Sequence, residues 1–225
     1  MSEWNYKEPE ESPRELDGIR REYDRERLDE SDTPADPLNL FCTWMEEATR
    51  SGTPDPTAMT LSTVDKNASP SSRIVLLKKI GKEGLVFFTN FQSRKAREIQ
   101  ENARVAAHFY WPQLERQVKI SGTADILEDS LSDDYFKSRP FESKISALAS
   151  PQSKEVQDRE FLEREFRKYL EKYQESREVP RPEHWRGFAI KPQRMEFWQG
   201  GLHRLHDRIE YTRKEQEWHK VRLAP

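Results

Sequence analysis

The sequence predicts a mainly β protein with peripheral helices, an α+β chain built on an antiparallel barrel or sandwich. Three observations lead there. Short apolar runs recur between residues 58 and 127, with turn residues in most of the gaps. The core-forming residues are concentrated in the same stretch: 18 of the 56 residues at 73–128 are Leu, Ile, Val or Phe, against 45 of 225 overall. Helical spacing dominates only before and after it.

The average content of large apolar side chains lies near the boundary for disordered chains. Yet 38 basic against 41 acidic residues leave a net charge of only −3, so self-repulsion is weak. Six Trp, seven Tyr and eleven Phe supply the large rings a packed core uses. So few aliphatics in one chain point to a partner that completes the core.

Along the chain, residues 1–36 carry 13 acidic and six basic side chains and only Leu16, Ile19 and Leu28 from the apolar set. Composition makes them a flexible acidic arm, leaving 37–225 as a single domain. Asp36-Pro37 opens a helix, with Asp as cap and Pro in the first turn. Leu40, Phe41, Trp44, Met45 and Ala48 follow at helical spacing until Gly52. Strands are expected at 58–65, 73–80 and 85–89, separated by Lys66–Pro70 and by Gly81–Gly84. A short helix at 93–101, with Ser93 able to cap it, precedes strands at 104–110 and 116–127. Residues 131–138, 143–149 and 155–175 read as helices. Strands at 187–198, 207–212 and 217–223 close the chain, and no repeat or long linker divides it.

Several function classes are excluded at this stage. One cysteine, Cys42, forms no internal disulfide. The N-terminus lacks the apolar segment of a signal peptide, and no apolar run reaches the ~20 residues of a membrane span. Mild acidity argues against nucleic acid. A cytoplasmic protein without nucleic-acid or membrane partners is the expectation.

Four constellations carry chemistry. Arg73 and Lys78 flank an apolar strand; five residues apart, they should face opposite ways about 17 Å apart and serve different anions, or simply close the strand at its wet ends. Arg94 and Lys95 begin a helix just after a strand, where cations are unfavourable unless an anion sits nearby. Tyr135, Arg139 and Ser143 supply a phenol, a guanidinium and a hydroxyl, either a phosphate cradle or a surface network. Arg204, His206 and Arg208 recur at period two, which places them on one face of an extended segment. His206 alone among them titrates near neutrality. His203 and His206 lack further ligands at a metal-binding spacing, so no metal is expected.

Together these stretches resemble the pyridoxine (pyridoxamine) 5′-phosphate oxidase family. The matching pieces are RREY at Arg20–Tyr23, DPLNLF at Asp36–Phe41, RIVLLK at Arg73–Lys78 and FFTNFQSRKA at Phe87–Ala96. ERQV at Glu115–Val118, YFKSRP at Tyr135–Pro140 and Gln152-Ser153 follow in order. EFWQG at Glu196–Gly200, RLHDR at Arg204–Arg208 and RLAP at Arg222–Pro225 complete the set.

The resemblance implies an FMN-binding split barrel of antiparallel Greek-key type and a homodimer with FMN at the subunit interface. It implies oxidation of pyridoxine 5′-phosphate and pyridoxamine 5′-phosphate to pyridoxal 5′-phosphate, with dioxygen as acceptor and hydrogen peroxide as product. The implied FMN residues are Arg73, Ile74, Val75, Leu76, Lys78, Phe88, Thr89, Arg94, Lys95, Gln117, Gln152, Ser153, Trp198 and Arg208. Lys78, Tyr135, Arg139 and Ser143 would bind the substrate phosphate. Arg204 and His206 would hold the pyridine ring over the flavin, with Arg20 and Tyr23 as a lid. Ser146 and Arg186 stand where the family usually has Gly. The competing readings are a flavin-binding split barrel without this oxidase activity and a dimeric interaction protein whose basic clusters bind anionic partners.

Overall fold

The computed structural model describes Gly18 and residues 21–225. Among the described residues, nine strands form one antiparallel sheet: β1 (Ala58–Val64), β2 (Pro70–Leu76), β3 (Lys79–Gly81), β4 (Gly84–Asn90), β5 (Arg104–Trp111), β6 (Arg116–Ile126), β7 (Trp185–Gln199), β8 (Asp207–Lys214) and β9 (Glu217–Arg222). The order is β2-β1-β5-β6-β7-β4-β3, with β8 on β7 and β9 on β8. β7 is 15 residues long and divides the sheet. Its first part pairs with β4, Trp185 to Ile190 against Asn90 to Leu85, and its last part pairs with β8. β6 runs along both, with a register shift at Ser121/Gly122. A side chain at Gly122 would meet the Lys191 carbonyl at 2.0 Å, so glycine is required where the strands close up.

The core lies inside this curled sheet and under helix α1 (Pro37–Arg50). Asp36 accepts from the Leu38 N–H as the expected cap, and Pro37 occupies the first turn. Helical spacing then turns Leu40, Phe41, Trp44 and Ala48 inward. Phe41 meets Phe109 edge-on at 5.0 Å and Trp44 meets Phe197 at 5.3 Å. Each such ring removed from water contributes about 1.5–3 kcal/mol, so this face fixes α1 on the barrel. The other helices are α2 (Arg94–Glu101), α3 (Asp129–Ser138), α4 (Phe141–Ala149) and α5 (Arg159–Tyr173). α5 buries none of its residues in the protomer.

Two expectations are corrected. The acidic arm does not extend to residue 36, because 21–36 is tied to the barrel. Leu28 is buried, and its N–H donates to Asp207. Lys220 Nζ donates to the Glu30 and Thr33 carbonyls at 2.7 and 3.1 Å, while Arg222 pairs with Glu30. Arg116, itself buried, pairs with Glu26 and Glu47. Composition missed this because the acidic side chains of the segment face specific arginines and lysines. The expected strand at 73–80 is also interrupted. Leu77 N–H donates to the Thr57 carbonyl and Lys78 N–H to the Val86 carbonyl, so the ladder with β1 ends and a second ladder begins.

Among the described residues, no helix is long and apolar enough to cross a membrane.

Candidate functional site

That interruption builds the site. Past it, the alternation of a single strand no longer applies, and Arg73 and Lys78 line the same cavity, of about 650 Å³, instead of opposite faces. Lys95 and Arg139 line it as well, with Thr89, Asn90, Tyr135, Ser146, Ser150 and Gln152. Among the described residues, four cations and no carboxylate line this space, and like charges converging there favour an anionic occupant.

Arg73, Lys95 and Arg139 are each held differently. Arg73 reaches Thr63 Oγ1 and Ser71 Oγ, both at 2.5 Å, and Glu98 at 3.2 Å. Lys95 Nζ donates to Gln152 Oε1 at 3.0 Å and to Thr89 Oγ1 at 3.2 Å. Burial, and then repulsion from Arg73, push its ammonium down to about 8, with Glu98 opposing. Ser93 does not cap α2 through its side chain; its Oγ lies 3.3 Å from Lys95 Nζ.

Arg139 lies where α3 ends, over the Trp185 ring at 4.8 Å. Trp185, Phe88 and Tyr135 form a stack, Phe88 lying 5.2 Å from Trp185 and 4.2 Å from Tyr135. Gly187 makes room for it, since a Cβ there would come within 2.9 Å of the Phe88 ring. Among the described residues, Arg139 Nη1 is buried with no hydrogen-bond partner. A buried guanidinium nitrogen without a partner is costly, and a phosphate oxygen is its natural complement.

Ile74, Val75, Leu76 and Phe88 line the cavity too. Arg94 does not line it; it is mostly exposed and donates to Glu98 at 2.7 Å. Ser143 and Ser153 also lie outside its lining, the latter at φ +66°. Arg20 falls outside the described residues.

A second group gathers at the other end of β7. Trp198 lies 4.6 Å from the His206 ring, and Tyr23 meets both edge-on at 5.7 and 5.6 Å. Arg204 lies over the Tyr23 ring at 5.8 Å. Gly200 is required here because a Cβ would come within 2.8 Å of the Tyr23 side chain. The extended segment expected for Arg204 and His206 is absent: Leu202–Arg204 is a 3-10 turn, with φ of +57° at His203 and +65° at Arg204. Period two therefore does not describe them, and their proximity comes from the turn. The Gly201 N–H donates to His206 Nδ1, which leaves the proton of the neutral ring on Nε2. Burial, and then the Arg204 charge, lower the His206 pKa, with Asp207 opposing.

Arg208 donates to Glu196 at 2.9 Å and to the Ala224 carbonyl at 2.7 Å. Gln117 pairs across the strands with Trp198 and bonds His108 at 3.0 Å. None of these side chains lines the cation-rich cavity.

Sequence reasoning missed Trp185, Asn90, Ser150 and Glu98. Glu98 was open to discovery, standing four residues after Arg94 on a helix. The others acquire roles only through tertiary contact.

Residues 45–198 match the family model described as pyridoxamine 5′-phosphate oxidase. Residues 185–225 match that of the pyridoxine 5′-phosphate oxidase C-terminal dimerisation region. The chain is 48% identical to the pyridoxine/pyridoxamine 5′-phosphate oxidase of Vibrio campbellii over 211 residues, covering 94% of this chain and all of that one. The Rubrobacter xylanophilus enzyme of that name is 48% identical over 217 residues, covering 96% and 100%. Among solved structures, PhzG from Burkholderia lata, in complex with tetrahydrophenazine-1-carboxylic acid, superposes with a TM-score of 0.82 at 32% identity, covering 87% of this chain and 95% of that one. An FMN-binding protein from Nostoc punctiforme shares the fold, at a TM-score of 0.67 and 16% identity, over 86% of this chain and all of that one.

Proposed function

The chain belongs to the pyridoxine/pyridoxamine 5′-phosphate oxidase family, and from that premise we propose how its residues divide the work. It oxidises pyridoxine 5′-phosphate and pyridoxamine 5′-phosphate to pyridoxal 5′-phosphate. The cofactor is FMN, bound between two copies of the chain. The observation that carries the reading is the cavity lined by four cations, no carboxylate and a buried, unpartnered arginine nitrogen.

Cofactor and substrate each bring a phosphate, and the cations fall into two sets to receive them. Arg73 and Lys95, with Thr89 and Gln152, hold the FMN phosphate. Tyr135 and Arg139 hold the substrate phosphate, with Lys78 between the sets and Ser143 completing the second. When bound, FMN would supply two-electron redox chemistry, with dioxygen as the final acceptor and hydrogen peroxide as its product. The protein's contribution is placement. Phosphate anchoring gives remote binding energy that fixes the pyridine ring. Arg204 stabilises negative charge developing on the substrate oxygen. His206, its Nδ1 engaged by the Gly201 N–H, orients the ring, with Tyr23 and Arg20 over it as a lid.

Trp198, Arg204, His206 and Arg208 lie within the matched dimerisation region and away from the lining of the same protomer's cavity. Each complete site therefore combines the cavity of one subunit with the β7–β8 end of its partner. Support comes from apolar side chains left open on one protomer, Ile74 at 63% exposure and Tyr110 at 49%. Gln117 and Ser153 join the flavin site through the same assembly.

Peroxide release tests the reading. Pyridoxine 5′-phosphate should be oxidised far faster than unphosphorylated pyridoxine; equal rates would remove the phosphate cradle from the account.

A further inference from the structure

Behind the cation-lined cavity lies a buried carboxylate that the assignments above leave without a role. Glu98 stands on α2, one turn after Arg94, with its side chain 5% exposed. Its Oε2 accepts from Thr63 Oγ1 on β1 and, at 2.6 Å, from Ser71 Oγ on β2. Arg73 Nη2 lies 3.2 Å from the same oxygen, and Arg94 Nε donates to Oε1 at 2.7 Å. An ionised carboxylate only accepts, so it takes the single proton of each hydroxyl. Each hydroxyl then turns a lone pair to Arg73, whose two terminal nitrogens reach Thr63 and Ser71 at 2.5 Å. One negative charge sets the polarity of the whole network.

We propose that Glu98 is a positioning residue for the cofactor-phosphate cradle: its carboxylate fixes the direction in which Arg73 presents its guanidinium group. This rests on the reading that Arg73 and Lys95 hold the FMN phosphate. Burial alone would favour a neutral carboxyl. Hydrogen bonds from Ser71, Thr63, Arg94 and Arg73 outweigh it and hold the group at about 2, so it is ionised at every working pH. The charge also faces Lys95, where it opposes the effects of burial and of Arg73. Arg73 from β2 with Arg94 and Lys95 from α2 are the charged groups that meet it.

A carboxylate this close to an anion site also repels the anion, so the two effects must be separated. In Glu98→Gln the repulsion is gone, but an amide N–H must face a hydroxyl proton or an arginine, donor against donor. Loss of alignment then dominates. FMN and riboflavin, which lacks the phosphate, are titrated into flavin-free full-length protein by fluorescence quenching across the pH range of the Lys95 titration. Wild type should prefer FMN. Glu98→Gln should weaken FMN roughly 10- to 100-fold, the loss of one or two charge-assisted hydrogen bonds, and leave riboflavin unchanged. The alkaline fall in FMN affinity should also move to lower pH, because Lys95 loses its supporting charge. Glu98→Asp, one methylene short but still charged, should restore that fall to its wild-type position and recover only part of the affinity.

FMN affinity within twofold of wild type in Glu98→Gln, or tighter, would overturn the proposal, as would equal weakening of FMN and riboflavin. A wild-type protein that binds FMN no better than riboflavin would instead overturn the cradle reading beneath it, and shows this without any substitution.

Discussion

Arg139 lies over the indole of Trp185, its guanidinium carbon 4.8 Å from the ring centroid, with Nη1 buried and unpartnered. Burial lowers its pKa from the ordinary arginine value, with Tyr135 opposing, as expected of a guanidinium short of hydrogen-bond partners. The ring holds the guanidinium plane in place and leaves its edge for a bidentate anion. Arg139→Lys keeps the charge and loses both the stacking and the fork. It should lower kcat/KM roughly 10- to 100-fold, the worth of one to two charge-assisted bonds, mainly by raising KM. Steady-state kinetics with the phosphorylated vitamer checks this.

Lys95 sets a pH dependence whose sign is fixed. Its folded pKa of about 8 lies below the ordinary 10.5, so the unliganded fold disfavours the charged form. Stability of the flavin-free protein should therefore rise as pH climbs from about 8 towards 10.5. A bound phosphate reverses the preference, so FMN affinity should fall over the same rise. Lys95→Met should flatten the affinity profile, read from FMN fluorescence against pH.

Arg204 and His206 stand apart from the cation-lined cavity, with Tyr23 against them. His206→Ala and Arg204→Ala should lower turnover far more than FMN affinity, and Arg73→Ala should do the reverse. Parallel measurement of kcat and FMN retention on gel filtration separates the two classes. If all three changed only FMN retention, the division of roles would be wrong.

Phe41 is fully buried between α1 and the barrel, 5.0 Å from Phe109 and 6.4 Å from Trp111. Phe41→Ala should cost about 3–5 kcal/mol in denaturant unfolding with little change in KM for the protein that remains folded. The ring does not line the cation-rich cavity.

What the sequence disclosed follows from range. Asp36-Pro37 announced α1, and turn residues announced the hairpins, because both effects act within a few positions. The cations were visible as residue types, but their meeting was not. Arg73 and Lys78 share a cavity only because Leu77 and Lys78 bond to Thr57 and Val86, partners that local pattern does not reveal. The turn that brings Arg204 and His206 to Tyr23 depends on positive φ at two non-glycine residues, which residue type does not signal. The segment at 21–36 looked unstructured because its apolar content is low, yet Lys220, Arg222 and Arg116 hold it through charge and backbone carbonyls.

The central claim is that each active site is shared between two chains. Subunit complementation tests it most directly. Arg139→Ala removes a residue of the cavity, His206→Ala one of the β7–β8 end, and each homodimer alone should be nearly inactive. After the two variants are mixed and allowed to exchange subunits, half the dimers are mixed, and each mixed dimer carries one site with both wild-type halves. The mixture should regain about one quarter of wild-type peroxide production, the fraction of sites that random pairing leaves intact. A mixture no more active than its components, despite demonstrated subunit exchange, would place both residues in the same chain's site and contradict the account.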